Sequence, residues 1–281
     1  MSLGAITLYR SDGLNPARDL AFEERLLERA SAGDASLFIA QWKTGTLVLG
    51  YGQPADEVDL EACRADGVDV LRRRSGGTGV FHDGKELILT LALPTTHRWT
   101  REIPRLYDLF LDTIQAVLLG LGVETTRVSP EDHREASKQR SPICFEGQLM
   151  ESLLWRGKKA VGCAQRRVRG AALVQGTLLL GLDAERQARA FGVSRDRVLA
   201  AMAPLPDLTR DADALATALE RAFTSALSPE AEPTRGRVDP GDALLRYDDP
   251  HWSPLRRTRQ PERQPEERDV SCDLAFSRPE G

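Results

Sequence analysis

The sequence predicts an α+β fold, and three observations predict it. Short β-rich runs alternate with helical segments along most of the chain. The stretch "IPRLYDLFLDTIQAVLLGLG" carries its apolar residues at helical spacing and closes in glycine. Three runs, "QLMESLLW", "AVGCAQRRVRG" and "AALVQGTLLL", read as consecutive strands of a meander.

In chain order, "ITLYRSD" is a short strand. "NPARDLAFEERLLERASAG" follows as a helix, with Asn15 as N-cap, Pro16 at the first helical position and Gly33 past the end. Its Leu20, Leu26 and Leu27 fall on one side. "SLFIAQWKTGTLVLGYGQ" has two β-rich runs broken by "KTG", the pattern of a hairpin. "EVDLEACRADGV" is a short helix ended by Gly67, and "LRRRSGGTGVFHDGKELILTLALP" reads as strand, glycine turn and strand. After the amphipathic helix, the polar segment 132–140 is expected to be a mobile loop. The meander turns at "RGKK", and "AERQARAFG" and "RDADALATALERAFTSAL" supply two further helices. From about Ser228 the chain turns rich in Pro, Arg, Glu and Asp, and "RTRQPERQPEERD" has no apolar residue. The expected organisation is one folded unit over 1–235 and a charged, Pro-rich tail over 236–281, partly disordered. The terminal "MSL" and "EG" read as additions foreign to the fold and are set aside.

With 281 residues, 41% of them hydrophobic, the chain can bury a core without disulfide staples. A net charge of -4 gives no global field for nucleic acid. No apolar run is long enough to cross a bilayer, and no signal peptide is expected at the start. Cys63, Cys144, Cys163 and Cys272 are widely spaced and match no zinc pattern. They read as free thiols of a cytoplasmic protein, with neither nucleic acid nor membrane as partner.

Two motifs carry chemistry. Arg72, Arg73 and Arg74 are consecutive on a strand and cannot all face one way. Gly76 and Gly77 let backbone approach a ligand and present N–H groups to an anion or a carbonyl oxygen; the plainer alternative is a basic hairpin with a flexible turn. The block has neither a Walker lysine nor the helix that follows a dinucleotide fingerprint. In "SPICFEGQLMESLLWRGKKAVGCAQRR", Cys144 follows Pro142 in a loop, and a hairpin can bring Lys158 or Lys159 back over it. A cation beside a thiol favours the thiolate nucleophile and donates to a thioester carbonyl as charge develops. A Cys–His arrangement with His82 or His133 is a second possibility, and a small buried hydrophobe a third. Cys163, in mid-strand, reads as packed; His97 and His251 lie in Pro-rich or surface-like stretches.

These blocks carry a resemblance. "RRRSGGTGVFHDGKELILTLALP" resembles the Arg-Arg-x-x-Gly-Gly-x-x-Val-x-His-Asp block of the biotin/lipoate protein ligase and octanoyltransferase superfamily. "GKKAVGCAQRR" is similar to its second block, Gly-(Arg/Lys)-Lys-x-x-Gly-Ser-Ala-Gln, "DLAFEERLL" to its N-terminal helix and "TLVLGYGQ" to its Gly-x-x-Gln strand end. The order is the family's. "ICFEGQ" resembles the Cys-Phe block of the cysteine-dependent lipoyl-domain octanoyltransferases, where ATP-dependent lipoate ligases usually have Asn-Asp. Cys163 stands where the second block has serine. "VQGT" stands where octanoyltransferases often have Gln-His-Gly-Ser, so a polar group near the cleft is expected to be missing. "GCAQRRVRGAALVQ" is also similar to the amidotransferase branch.

The resemblance implies a mostly antiparallel sheet backed by helices, as in class II aminoacyl-tRNA synthetases and biotin ligases, with 1–235 as the catalytic domain. It implies Cys144 as acyl-accepting nucleophile and Lys159 as carbonyl-binding lysine. Arg73, Gly76, Gly77, Thr78 and His82, with Gly162 of the second block, become the wall of an acyl tunnel. The implied partners are octanoyl-acyl carrier protein as donor and a lipoyl domain or the glycine-cleavage carrier protein as acceptor, with no metal, ATP or other cofactor. The alternatives are an ATP-dependent lipoate ligase, an amidotransferase and a non-catalytic acyl or carrier-domain binder. From composition, truncation after about Pro240 is expected to leave the melting temperature nearly unchanged; a large drop would show instead that "ALLRYDDPHWSPL" docks, with Trp252 and Leu255 as the first anchors.

Overall fold

The computed structural model describes residues 5–138, 141–205, 208–250 and 252–256. Strand β1 (Thr7–Arg10) leads into helix α1 (Pro16–Ser31). The Asn15 side chain accepts from the Arg18 N–H, and Pro16, which has no N–H to satisfy, takes the first turn. Strands β2 (Ser36–Ala40) and β3 (Thr46–Leu49), helix α2 (Leu60–Ala65), and strands β4 (Asp69–Arg72), β5 (Val80–His82) and β6 (Glu86–Pro94) follow. Then come helix α3 (Ile103–Gly120), strand β7 (Thr126–Arg127) and helix α4 (Pro130–Ala136). The meander is β8 (Ser152–Trp155), β9 (Lys158–Val168) and β10 (Ala171–Leu179). Helices α5 (Ala184–Phe191), α6 (Arg195–Ala201) and α7 (Ala212–Leu227) precede the edge strand β11 (Thr234–Arg235).

Two sheets result. Among the described residues the larger has the order β11-β1-β2-β6-β10-β9-β8-β7, antiparallel except where β1 pairs with β2 and β11. In the smaller, β3 lies between β4, to which it is parallel, and β5, to which it is antiparallel. The expected mostly antiparallel sheet backed by helices is what the chain builds. Strand β6 shows why. Its Leu87, Leu89, Leu91 and Leu93 pack with Leu106, Phe110 and Ile114 of α3 and Leu215, Leu219 and Phe223 of α7. Its Ile88 and Ala92 meet Leu20, Phe22 and Leu26 of α1. A strand covered on both faces must be apolar throughout, which makes "LILTLALP" a run instead of an alternation. Each such leucine buried contributes about 1.5–3 kcal/mol. The small sheet packs on α2, α5 and α6 through a separate cluster that includes Leu47, Phe81, Phe145 and Phe191. Among the described residues, no helix is long and apolar enough to cross a membrane.

Several local expectations change. The "KTG" segment is not a hairpin: β2 belongs to the large sheet and β3 to the small one. Trp42, buried between them, donates its indole N–H to Asp19 at 2.8 Å, and that anchor redirects the chain. The arginine-glycine block is not a hairpin either, since β4 and β5 both pair with β3. Residues 132–136, expected as part of a loop, belong to helix α4, started by a Ser129 cap that accepts from the Asp132 N–H. Its cap, proline and acidic first turn outweigh the absence of apolar residues. Residues 139–140 lie outside the described residues.

The tail departs furthest from expectation. The folded unit does not end at 235. Residues 241–248 form a 3-10 turn on α1, with Tyr247 fully buried beside Leu20, Phe22 and Leu26. Trp252 and Leu244 pack on the same cluster, and Leu255 pairs through its backbone with Val70 of β4. Averaged composition hides these few apolar residues among many charges, yet each docks. The poorest stretch, 257–269, lies outside the described residues.

Truncation after Pro240 is therefore expected to destabilise the protein. Exposing the surface under Tyr247 and Trp252 removes roughly 2–4 kcal/mol of burial. At about 2–4 °C per kcal/mol for a domain of this size, the melting temperature should fall by roughly 4–16 °C. Calorimetry of the truncated and full chains tests this, and an unchanged transition would contradict the docking.

Candidate active site

The glycine turn is held from beneath by Arg73. Its guanidinium, 4% exposed, donates to the carbonyl oxygens of Val48 (3.2 Å), Gly76 (2.8 Å) and Thr78 (3.0 Å). Gly77 has φ +86°, and a Cβ there would stand 2.9 Å from an Arg73 nitrogen, so the position needs glycine twice over. Arg72 turns the other way and donates to the carbonyls of Gly50, Tyr51 and Gln53. Arg74 lies beside Glu24 on the outer face. The three consecutive arginines thus serve three different surfaces.

The Cys144 loop is built onto this turn. The Gly79 N–H donates to Pro142 O at 2.8 Å, and the Cys144 N–H donates back to Gly79 O at 2.9 Å. Phe145 plugs into the small-sheet cluster, and Glu146 accepts from Ser141 and from Arg197 of α6. Gln53 adds a further tie, its amide donating to Pro142 O at 3.1 Å.

Lys159 arrives from the other side. The β8–β9 turn places Arg156 and Gly157 at positive φ, and a register shift between Leu153 and Leu154 follows. Such bulges re-aim side chains, and here Ala160 and Val161 both join the core while Lys159 leans over the Cys144 loop. Its ammonium donates to Cys144 O and Gly147 O, each at 2.9 Å, and stands 4.0 Å from Cys144 Sγ. Gly162 makes room: a Cβ there would lie 2.5 Å from Lys159 Cε.

Between these walls lies a cleft lined by Val48, Arg73, Val80, His82, Cys144, Phe145, Gly162, Cys163, Ala164, Gln175 and Thr177. Cys144, Arg73, His82 and Gly162 meet here, with Lys159 above. Gly76, Gly77 and Thr78 do not line it; they form the lip, and the contribution of Gly76 and Thr78 is the pair of carbonyls that hold Arg73. The polar group expected to be missing at "VQGT" is supplied by Gln175. Its amide N–H donates to Glu23 at 2.9 Å, its oxygen accepts from Ser75 at 3.1 Å, and Thr90 completes the set by donating to Glu23 at 2.6 Å. Helix α1, strand β10 and the glycine turn are joined through that network. Sequence reading placed Glu23 and Gln53 in family blocks but assigned them no role.

Electrostatics separates the candidates. Burial, reinforced by the Arg73 charge, pushes His82 down to about 3, so it stays a neutral imidazole. Its ring packs edge-on against Trp42 at 4.8 Å. A neutral imidazole this weakly basic does not hold a thiol's proton, which disfavours the Cys144–His82 pairing. His133 sits on α4, accepting from the Met150 N–H. Burial pushes the Cys63 thiol up to about 12 and the Cys163 thiol well above its ordinary range. Both therefore remain protonated at neutral pH; Cys272 and His251 lie outside the described residues. Among the described residues no three His, Cys, Asp or Glu side chains gather as a metal site.

Comparison with known proteins now bears on this geometry. The lipoyl protein ligase A/B catalytic domain family matches residues 15–224. The chain belongs to that family. Octanoyltransferase LipM of Geobacillus kaustophilus is 32% identical over 190 residues, 65% of this chain and 68% of that protein. Octanoyltransferase LipM of Staphylococcus epidermidis is 30% identical over 195 residues, 67% of this chain and 70% of that protein. The fold is that of a putative lipoate protein ligase from T. acidophilum with bound lipoic acid, with a TM-score of 0.70 at 20% identity over 89% of this chain and 98% of that one.

Burial also pushes Glu23 and Glu86 up to about 8 each. In the unfolded chain both ionise near 4.5. Between these values the folded state holds the extra protons, so these groups stabilise the fold at low pH and lose that contribution as pH rises through 8. His82 acts with the opposite sign, its contribution being lost as pH falls below 6.5 toward 3. Glu23→Gln is expected to flatten the fall in stability between about pH 5 and 8, by at most about 1.4 kcal/mol per pH unit. Denaturant midpoints across that range test this; an unchanged slope would mean Glu23 is ionised in the fold.

Proposed function

We propose that this chain is an octanoyltransferase of lipoate biosynthesis, in which the octanoyl group passes through a thioester on Cys144. The observation that carries the reading is the Lys159 ammonium 4.0 Å from Cys144 Sγ at the mouth of a partly apolar cleft. An ammonium has three N–H donors. Two are occupied by the Cys144 and Gly147 carbonyls, which leaves the third for the sulfur or for a substrate carbonyl oxygen beside it.

In the first half-reaction the Cys144 thiolate attacks the thioester carbonyl of octanoyl-acyl carrier protein. A new C–S bond forms, the bond to the carrier's sulfur breaks, and that sulfur leaves as a thiol with the proton Cys144 gave up. In the second, the unprotonated ε-amine of a lysine attacks octanoyl-Cys144. The acceptor is a lipoyl domain or the glycine-cleavage carrier protein. The amide forms, Cys144 sulfur leaves, and it regains the amine's proton. Lys159 donates to the carbonyl oxygen as it gains negative charge in both steps, where a fixed donor acts most strongly. The incoming thioester is already activated, so the sequence consumes no ATP. Val48, Val80, Phe145 and Ala164 give the acyl chain an apolar wall, each methylene buried being worth about 0.8 kcal/mol.

The roles separate by mutation. Cys144→Ser is expected to lose transfer to a lipoyl domain without ATP, while Cys163→Ser keeps most of it. Lys159→Ala should slow both half-reactions on the order of a hundredfold, as deletion of one oxyanion donor does. Transfer that persists in Cys144→Ser, or that appears only with ATP, would replace this mechanism with ligase chemistry or with Cys163 as nucleophile.

A further inference from the structure

The family match ends at residue 224, and the chain then crosses α1 to reach the far side of the active site. It arrives at the ends of β3 and β4, the second of which leads into the glycine turn. Leu255 extends β4, with Val70 N–H donating to Leu255 O at 2.6 Å and Leu255 N–H returning to Val70 O at 3.3 Å. Trp252 lies 5.9 Å from the Tyr51 ring and 6.5 Å from Tyr247, with the Arg74 guanidinium 5.8 Å and the Arg246 guanidinium 5.2 Å from its own ring. Glu24 of α1 locks the same group, pairing with Arg74 at 3.8 Å and Arg246 at 3.3 Å.

Tyr51 and Arg74 flank the turn. The Tyr51 N–H donates to Ser75 O at 3.0 Å, and the Arg73 N–H donates to Leu49 O at 3.0 Å, so the two ends are laced to each other. The turn itself is held through the Arg73 bonds to the Gly76 and Thr78 carbonyls, so it depends on where Arg73 is placed. Gly76 and Gly77 are exposed, and nothing lies within 4 Å of where a Gly76 Cβ would be. A glycine pair of this kind has wide conformational freedom, so its geometry is set by Arg73 and by the residues that place it.

We infer that Trp252 is a positioning residue of the acyl-transfer site: with Leu255 it clasps Arg74, where the glycine turn begins, and Tyr51, which follows β3 and bonds the turn at Ser75. Arg73 is thereby kept facing Cys144, and Gly79 is kept paired with the Cys144 loop. The tail is thus part of the site's scaffold although it lines none of the cleft. The activity readout below rests on the acyl-transfer reading; the exchange readout does not.

The test uses the full chain carrying Trp252→Ala, Trp252→Leu or Trp252→Phe, with Leu219→Ala in α7 as a control destabilised far from the turn. Single-turnover octanoyl loading at saturating thioester and amide hydrogen exchange at residues 75–79 are measured on each. Trp252→Ala and Trp252→Leu are expected to slow loading by about tenfold or more, since small displacements of a positioned group carry large rate costs. Amide exchange at 75–79 should quicken by a similar factor through local opening. Trp252→Phe should restore most of both, and Leu219→Ala should alter neither selectively. If the alanine variant fails to fold, the leucine variant decides. Unchanged exchange at 75–79 without the indole, or the same change in Leu219→Ala, would overturn the inference whatever the activity. If the wild type forms no octanoyl adduct, the acyl-transfer reading fails and the exchange data still decide the role of Trp252.

Discussion

The buried Lys159 ammonium is the constraint around which the site is arranged. A cation 2% exposed must be solvated by protein, and two backbone carbonyls of the Cys144 loop do this. The same bonds hold the loop. Several otherwise separate features answer to this one requirement. The bulge in β9 aims the side chain, and Gly162 leaves space beneath its Cε. Phe145 anchors the loop below, and Gly79 pairs with it on the glycine-turn side. Removing any of them leaves a buried charge less well solvated, which couples the fold to the chemistry.

The rest of the cleft's charge is arranged in the same sense. Arg73 is a second buried cation, and burial works against its charged form. Burial keeps Glu23 protonated to about 8 and His82 neutral above about 3, so neither neutralises that cation at ordinary pH. Cys163, close by on β9, gives its thiol to the Glu151 carbonyl at 3.4 Å. Burial disfavours its thiolate even with Lys159 at hand.

What could be read from sequence was local or motif-bound. The α1 boundaries follow from Asn15 and Pro16, the β8–β10 meander from its turn residues, and the approach of Lys158 or Lys159 to Cys144 from one strand and a hairpin, the family resemblance choosing Lys159. What could not be read depended on partners distant in sequence. Nothing in "SLFIAQWKTGTLVLG" says that Trp42 will bond Asp19 and send β3 to a second sheet. Averaging over a charged tail concealed Tyr247 and gave too little weight to Trp252 and Leu255, whose value lies in the surface each one meets. Helix α4 was legible in its Ser129 cap, but a reading weighted toward apolar periodicity passed over it. At the site, the inward direction of Arg73 and the place of Gly76–Thr78 at the lip depended on β4 and β5 both pairing with β3, a topology the spacing does not encode.

The central claim is that one particular sulfur carries the acyl group. It is tested most directly by incubating the wild-type chain with octanoyl-acyl carrier protein in the absence of ATP, followed by tryptic mapping. The account predicts a hydroxylamine-labile octanoyl group on the peptide spanning residues 141–156, which contains Cys144. An octanoyl group on the peptide containing Cys163, or no adduct until ATP is added, would contradict it.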